Sequence, residues 1–89
     1  MKTIWKFQFE IADVIEIDMP KVIEILHFEI QGDVPCIWAI VNPVIPLKPK
    51  QFRLFGTGHP IREDNLKYIG TSMHRGGELV WHLFEVKEE

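Results

Sequence analysis

Apolar and polar residues alternate with period two along much of this chain, the pattern of strands that bury one face. From Ile4 to Glu10, Trp5, Phe7 and Phe9 share one face and Lys6, Gln8 and Glu10 the other, which predicts a half-buried antiparallel strand. Val14 to Asp18 alternates as well, with Val14, Glu16 and Asp18 opposed by Ile15 and Ile17, until Met19-Pro20 breaks the run. A short strand or an extended segment fits. Val22 to Ile30 reads as a third strand whose parity slips: Ile23 and Ile25 lie on one face, Leu26, Phe28 and Ile30 on the other. A β-bulge near Ile25-Leu26 repairs the slip, because one extra residue exchanges the faces. A helix is the competing reading, and the β-branched residues count against it. Gln31-Gly32-Asp33-Val34 is then a tight turn. Cys36 to Val41 follows, apolar on both faces, as a central strand or one covered by another subunit.

Prolines 43, 46 and 49 remove backbone donors and disfavour a central strand, so this segment reads as an extended edge or a crossover. It delivers the chain to a strand at Gln51, where Phe52 and Leu54 point one way and Arg53 and Phe55 the other. Ile61 to Lys67 is polar, and Arg62-Glu63-Asp64-Asn65 suggests a turn or a single helical turn. Tyr68 to Glu85 reads as a hairpin about Gly76-Gly77, with Arg75 opposite Glu78, Met73 opposite Val80, Ser72 opposite Trp81 and Thr71 opposite His82. In that register Ile69, Met73, Val80, Phe84 and Val86 make the core face. Leu79, Trp81 and Leu83 take the other face, with Trp81 over Gly70. The expected fold is all-β: six or seven mainly antiparallel strands in a small sandwich or barrel.

At 89 residues the chain predicts a single β domain over residues 1–89, burying about 60–65% of the surface its unfolded form exposes. Three Trp, six Phe and one Tyr are generous for so thin a core, which points to a homo-oligomer whose second copy covers part of them. The formal charge of −3 argues against binding a nucleic-acid backbone, which calls for a basic surface. Lys48, Lys50, Arg53 and Arg62 nevertheless leave room for a local basic pocket. Cys36 is the only cysteine, so no intrachain disulfide forms; in its apolar run it packs as a small hydrophobe and suits a reducing cytosol. The N-terminus alternates rather than forming the apolar core of a signal peptide. No apolar run approaches the ~20 residues that cross a bilayer. A cytoplasmic protein without a membrane partner is expected.

The candidate chemistry gathers where the strand from Gln51 ends, in Gly56-Thr57-Gly58-His59-Pro60-Ile61. Two glycines free the backbone to turn its N–H groups toward one point, and Pro60 holds His59 extended. One reading is an anion cradle, in which these amides and the Thr57 hydroxyl hold a phosphate that Arg53 or Arg62 neutralises. The other is a glycine turn between strands. The dinucleotide fingerprint is excluded, because no third glycine and no helix follow, and the phosphate loop of nucleotide hydrolases lacks its lysine. His27, His59, His74 and His82 show no metal-ligand spacing, so neither a metal nor a cofactor is expected. His59 is the candidate for direct ligand contact, whereas His82, opposite Thr71, reads as a hydrogen-bonded core residue. Trp38, Tyr68 and Trp81 either stack on a base or belong to the core and subunit contacts. A buried Cys36 offers no Cys/His nucleophile. A histidine phosphodiesterase using His59 with His74 or His82 needs two imidazoles at one phosphate.

Several stretches together carry a resemblance: Thr3-Ile4-Trp5-Lys6-Phe7, Ile25-Leu26-His27, Pro35-Cys36-Ile37-Trp38-Ala39, the glycine loop, Tyr68-Ile69-Gly70-Thr71 and Leu79-Val80-Trp81-His82-Leu83-Phe84-Glu85. In this order they resemble a family of small uncharacterised domains found in phages, prophages and other mobile elements. That resemblance brings no activity with it. It implies an accessory protein made in the cytoplasm of an infected or lysogenic bacterium. Its context raises the expectation of a non-catalytic protein that sequesters a nucleotide signal of bacterial immunity, a cyclic ADP-ribose derivative or a cyclic dinucleotide. The candidate ligand-binding residues are Arg53, Phe55, Gly56, Thr57, Gly58, His59, Arg62, Tyr68, Trp81 and His82. The alternatives are a module that inhibits a host protein through its apolar strands, and the phosphodiesterase.

Overall fold

A computed structural model describes residues 1–87. Seven strands follow in chain order: β1 Thr3–Gln8, β2 Val14–Met19, β3 Lys21–Gln31, β4 Val34–Asn42, β5 Lys48–Gly56, β6 Leu66–His74 and β7 Leu79–Val86. They form two antiparallel sheets, one ordered β1-β4-β3 and the other β2-β5-β7-β6. The all-β expectation holds in its sandwich form; among the described residues the strands do not close into a barrel.

The sandwich follows from the alternation. In β4, at the centre of the three-stranded sheet, Pro35, Ile37, Ala39 and Val41 all point inward and are buried. In β5, at the centre of the other sheet, Phe52 and Leu54 do the same. Ile15 and Met19 of β2, Phe28 of β3 and Leu83 of β7 complete the core. Ile30 N–H donates to Ser72 Oγ at 3.0 Å, tying β3 of one sheet to β6 of the other.

Local signals place the ends of these elements. Gly32 and Asp33, between β3 and β4, both have positive φ (48° and 73°), as a two-residue hairpin of primed type requires. The bulge between Ile25 and His27 lies where the parity slip predicts it, and a second falls between Val22 and Glu24. The proline segment is the crossover from β4 to β5. Strand β5 starts at Lys48 rather than Gln51 and includes Pro49, which pairs with Asp18. That position is tolerated because β7 joins β5 only from Phe52 onward, so the missing N–H interrupts no ladder on that side. Residues 64 and 65 form a bend, and 62–65 make no helical turn.

The hairpin register is as read, with Thr71, Ser72 and Met73 opposite His82, Trp81 and Val80. Its core face is the opposite of the expected one except at Ile69, which packs against the core as expected. Leu83 is fully buried, whereas Met73 is 68% exposed. A bulge at Ile69 shifts the pairing so that Gly70 faces Leu83 and Tyr68 faces Phe84. Gly70 is covered by Phe28, whose Cβ would lie 3.5 Å from an added Cβ, and not by Trp81, which faces Ser72.

Candidate functional site

The expected set of ligand residues divides between the two faces of the four-stranded sheet. On the outer face, register sets side chains in rows across the strands. Val14, Arg53, Phe84 and Tyr68 make one row; Phe55, His82 and Thr71 make the next. Neighbouring strands lie about 4.8 Å apart, so Arg53 and Tyr68, two strands removed, are about 10 Å apart.

The second row carries a continuous polar chain. Tyr68 Oη lies 2.6 Å from Thr71 Oγ1, which lies 2.9 Å from His82 Nδ1, and His82 Nε2 lies 2.8 Å from Thr57 Oγ1. A neutral imidazole donates from one ring nitrogen and accepts at the other, and each hydroxyl can do either, so the chain can run in both directions. His82 is therefore hydrogen-bonded as expected, but it is half-buried on the outer face and not in the core. Aromatic rings frame the chain: Phe55 and Phe84 meet edge-on at 5.6 Å, Tyr68 and Phe84 at 5.5 Å. Tyr68 is 55% exposed and presents its ring to solvent.

Arg53 is neither a free anion receptor nor a solvated arginine. Its Nε donates to Asp13 O at 2.9 Å, its Nη1 is ion-paired with Glu63, and its guanidinium lies 4.9 Å from the centre of the Phe55 ring. Arg62, beside Glu63 in the chain, is exposed.

The glycine loop does not gather its amides toward one point. Gly56 N–H donates to His59 Nδ1 at 3.1 Å, Thr57 N–H to Val80 O at 3.3 Å, and His59 N–H to Gly56 O at 3.0 Å. Three of the four amides from Gly56 to His59 are thus donated within the protein, and the cradle is corrected to a closed corner, with Gly58 at φ 93° completing the turn. The imidazole of His59 folds back onto Gly56, where an added Cβ would meet Cε1 at 2.9 Å. A side chain there would push the exposed imidazole out of this corner. On the same inner side His59 meets Trp81 edge-on at 6.4 Å, and Trp81 Nε1 is buried without a hydrogen-bond partner among the described residues.

Gly56, His59 and Trp81 therefore do not join the outer-face group of Arg53, Phe55, Thr57, Tyr68 and His82. His59 and His82 lie on opposite faces, and His74, at the end of β6, is buried with Nε2 2.8 Å from Asp33 Oδ1. That arrangement does not bring two imidazoles to one phosphate. Sequence reasoning left out Thr71, Phe84 and Glu63. Thr71 was legible in the hairpin register, as the partner of His82; Phe84 comes opposite Tyr68 only through the bulge at Ile69.

Among the described residues no group of three or more His, Cys, Asp or Glu side chains is placed to hold a metal ion, and no helix is long and apolar enough to cross a membrane. No curated protein and no solved structure matches the chain. The sequence model of one family spans residues 1–89, and the chain belongs to that family, described as Domain of unknown function (DUF7352).

Proposed function

We propose that the protein binds a nucleotide-like anionic small molecule, without cleaving it, on the outer face of the four-stranded sheet. One juxtaposition carries this reading: the half-exposed ring of Tyr68, backed by Phe84, lies at the head of the Thr71–His82–Thr57 chain. A base stacked on Tyr68 gains about 1–3 kcal/mol. The hydroxyls of Thr71 and Thr57 offer donors and acceptors to a base edge or a ribose. Arg53, two strands from Tyr68 in the first row, and the exposed Arg62 supply positive charge for a phosphate, which competes with Glu63 for the Arg53 guanidinium. The face is open, so a second copy lying over it in a homo-oligomer would enclose the ligand.

The likeness to phage and prophage domains makes the signals of bacterial immunity the first ligands to test, with sequestration as the consequence of binding without cleavage. Isothermal titration with cyclic ADP-ribose and with a cyclic dinucleotide is expected to give saturable binding. Tyr68→Ala should weaken it about tenfold or more. Heat denaturation of the complex should return intact ligand. Equal binding by Tyr68→Ala and His82→Ala would remove the site, and a cleaved product would favour the phosphodiesterase.

A second reading rests on the apolar side chains of the same face. Val14, at the far end of the row from Tyr68, is 57% exposed, and Met73, beyond Thr71 on β6, is 68% exposed. Such a patch suits a protein partner, and a host protein that pairs stoichiometrically with the wild type but not with Met73→Glu would support it over the nucleotide.

A further inference from the structure

Strand β5 opens with two lysines on the face that later carries Phe52 and Leu54: residues 48, 50, 52 and 54 alternate onto the core side. Lys48 and Lys50 thus stand at the mouth of the space between the sheets, about 20–26 Å from the glycine loop at the usual rise per residue. Two clefts open there. The first, of about 210 Å³, is walled by Met19, Pro20, Ile45, Pro46 and Pro49 and also lined by Lys21 and Lys48. The second, of about 330 Å³, includes Glu24, Ile25, Lys67 and Glu85. Val22 and Lys50 line both, so the two adjoin.

The first cleft is lined by Lys21, Lys48 and Lys50 and by no carboxylate, on a chain whose formal charge is −3. In the second, Lys50 and Lys67 are balanced by Glu24 and Glu85. Lys50 Nζ lies 3.0 Å from Glu85 Oε2, and both side chains are about four-fifths buried, so the one buried lysine is partnered. Lys21 and Lys48 are exposed, and no ion pair within 4.0 Å holds either among the described residues. An apolar wall rimmed by such lysines is complementary to an anion with an apolar body.

We propose that the first cleft binds an amphipathic anion, a carboxylate or phosphate monoester on a hydrocarbon or aromatic body, separately from the outer face of the four-stranded sheet. The apolar body lies against Met19, Pro20, Pro46 and Pro49. The head group lies against Lys21 and Lys48.

The test is isothermal titration of the full chain with octanoate and with octyl phosphate, beside octan-1-ol and inorganic phosphate. At least one octyl anion binds, and its contrast with the other identifies the head group. The alcohol and inorganic phosphate bind about tenfold more weakly or less, since each lacks half of the recognition. Lys21→Ala and Lys48→Ala, at exposed side chains outside the core, each weaken the octyl anion about three- to fivefold, the upper range for one exposed charge. Thr57→Ala leaves it unchanged, which separates this site from the nucleotide face. Octan-1-ol binding as tightly as the octyl anions, lysine variants binding like the wild type, or no binding of either octyl anion would each overturn the proposal.

Discussion

Leu83→Ala against Met73→Ala decides which face of the β6–β7 hairpin the core occupies. Leu83 is 0% exposed and lies opposite Leu54 in β5, so the truncated side chain leaves a void among the best-packed residues of the sandwich. Buried Leu→Ala changes cost about 3–5 kcal/mol, from lost transfer energy and residual cavity. A chain of 89 residues carries about 4–13 kcal/mol of stability in all, so this one change removes a large share. With an unfolding entropy of about 2 cal/mol/K per residue, a loss of 3 kcal/mol lowers Tm by about 15 °C. Met73, 68% exposed on the outer face, has little burial to lose, and Met73→Ala should stay within about 0.5 kcal/mol of the wild type. Urea unfolding followed by tryptophan fluorescence, with thermal melts by circular dichroism, measures both. A Met73→Ala loss equal to or greater than that of Leu83→Ala would refute the assignment of faces.

Ser72→Ala leaves the Ile30 N–H without its acceptor between the sheets and should cost about 1–2 kcal/mol in urea unfolding, where a surface serine would cost nothing measurable. Gly56→Ala drives a methyl against the His59 imidazole, so the ring leaves the corner; stability should fall by about 1–2 kcal/mol and the His59 and Trp81 ring protons should shift together by NMR. A double-mutant cycle on Arg53→Ala and Glu63→Ala should return a coupling of about 1 kcal/mol, the upper range for a pair still partly in contact with water, and a coupling near zero would mean that Glu63 does not hold the guanidinium.

Much of this fold is written in period-two alternation, and its misreadings have definite causes. The parity slip in β3 exposed one bulge, but the second, at Ile23, hides because Val22 and Ile23 are both apolar. Strand β7 is apolar on both faces, so hydrophobicity could not choose its inner side. The decisive signal lay across the hairpin. Gly70 and Ser72 are small because β3 packs onto them, through Phe28 and the Ile30 amide, and small residues opposite large ones were read as the exposed face. At the candidate site, alternation did place Arg53 and Phe55 on one face and Thr71 opposite His82. It could not show that Glu63, reached through an irregular loop, would claim Arg53. The spacing of Gly56 and His59 held the fold-back of the imidazole, but a histidine acceptor for an amide three residues before it is not a pattern that alternation reveals.

The account turns on the outer face of the four-stranded sheet as a place where a ligand docks. Two-dimensional NMR of ¹⁵N-labelled protein, titrated with cyclic ADP-ribose and with a cyclic dinucleotide, tests this most directly. Saturable shifts should centre on Thr57, Tyr68, Thr71, His82 and Phe84 and should vanish in Tyr68→Ala. Spectra unmoved by either compound, or shifts confined to other residues and unaltered by that substitution, would contradict it.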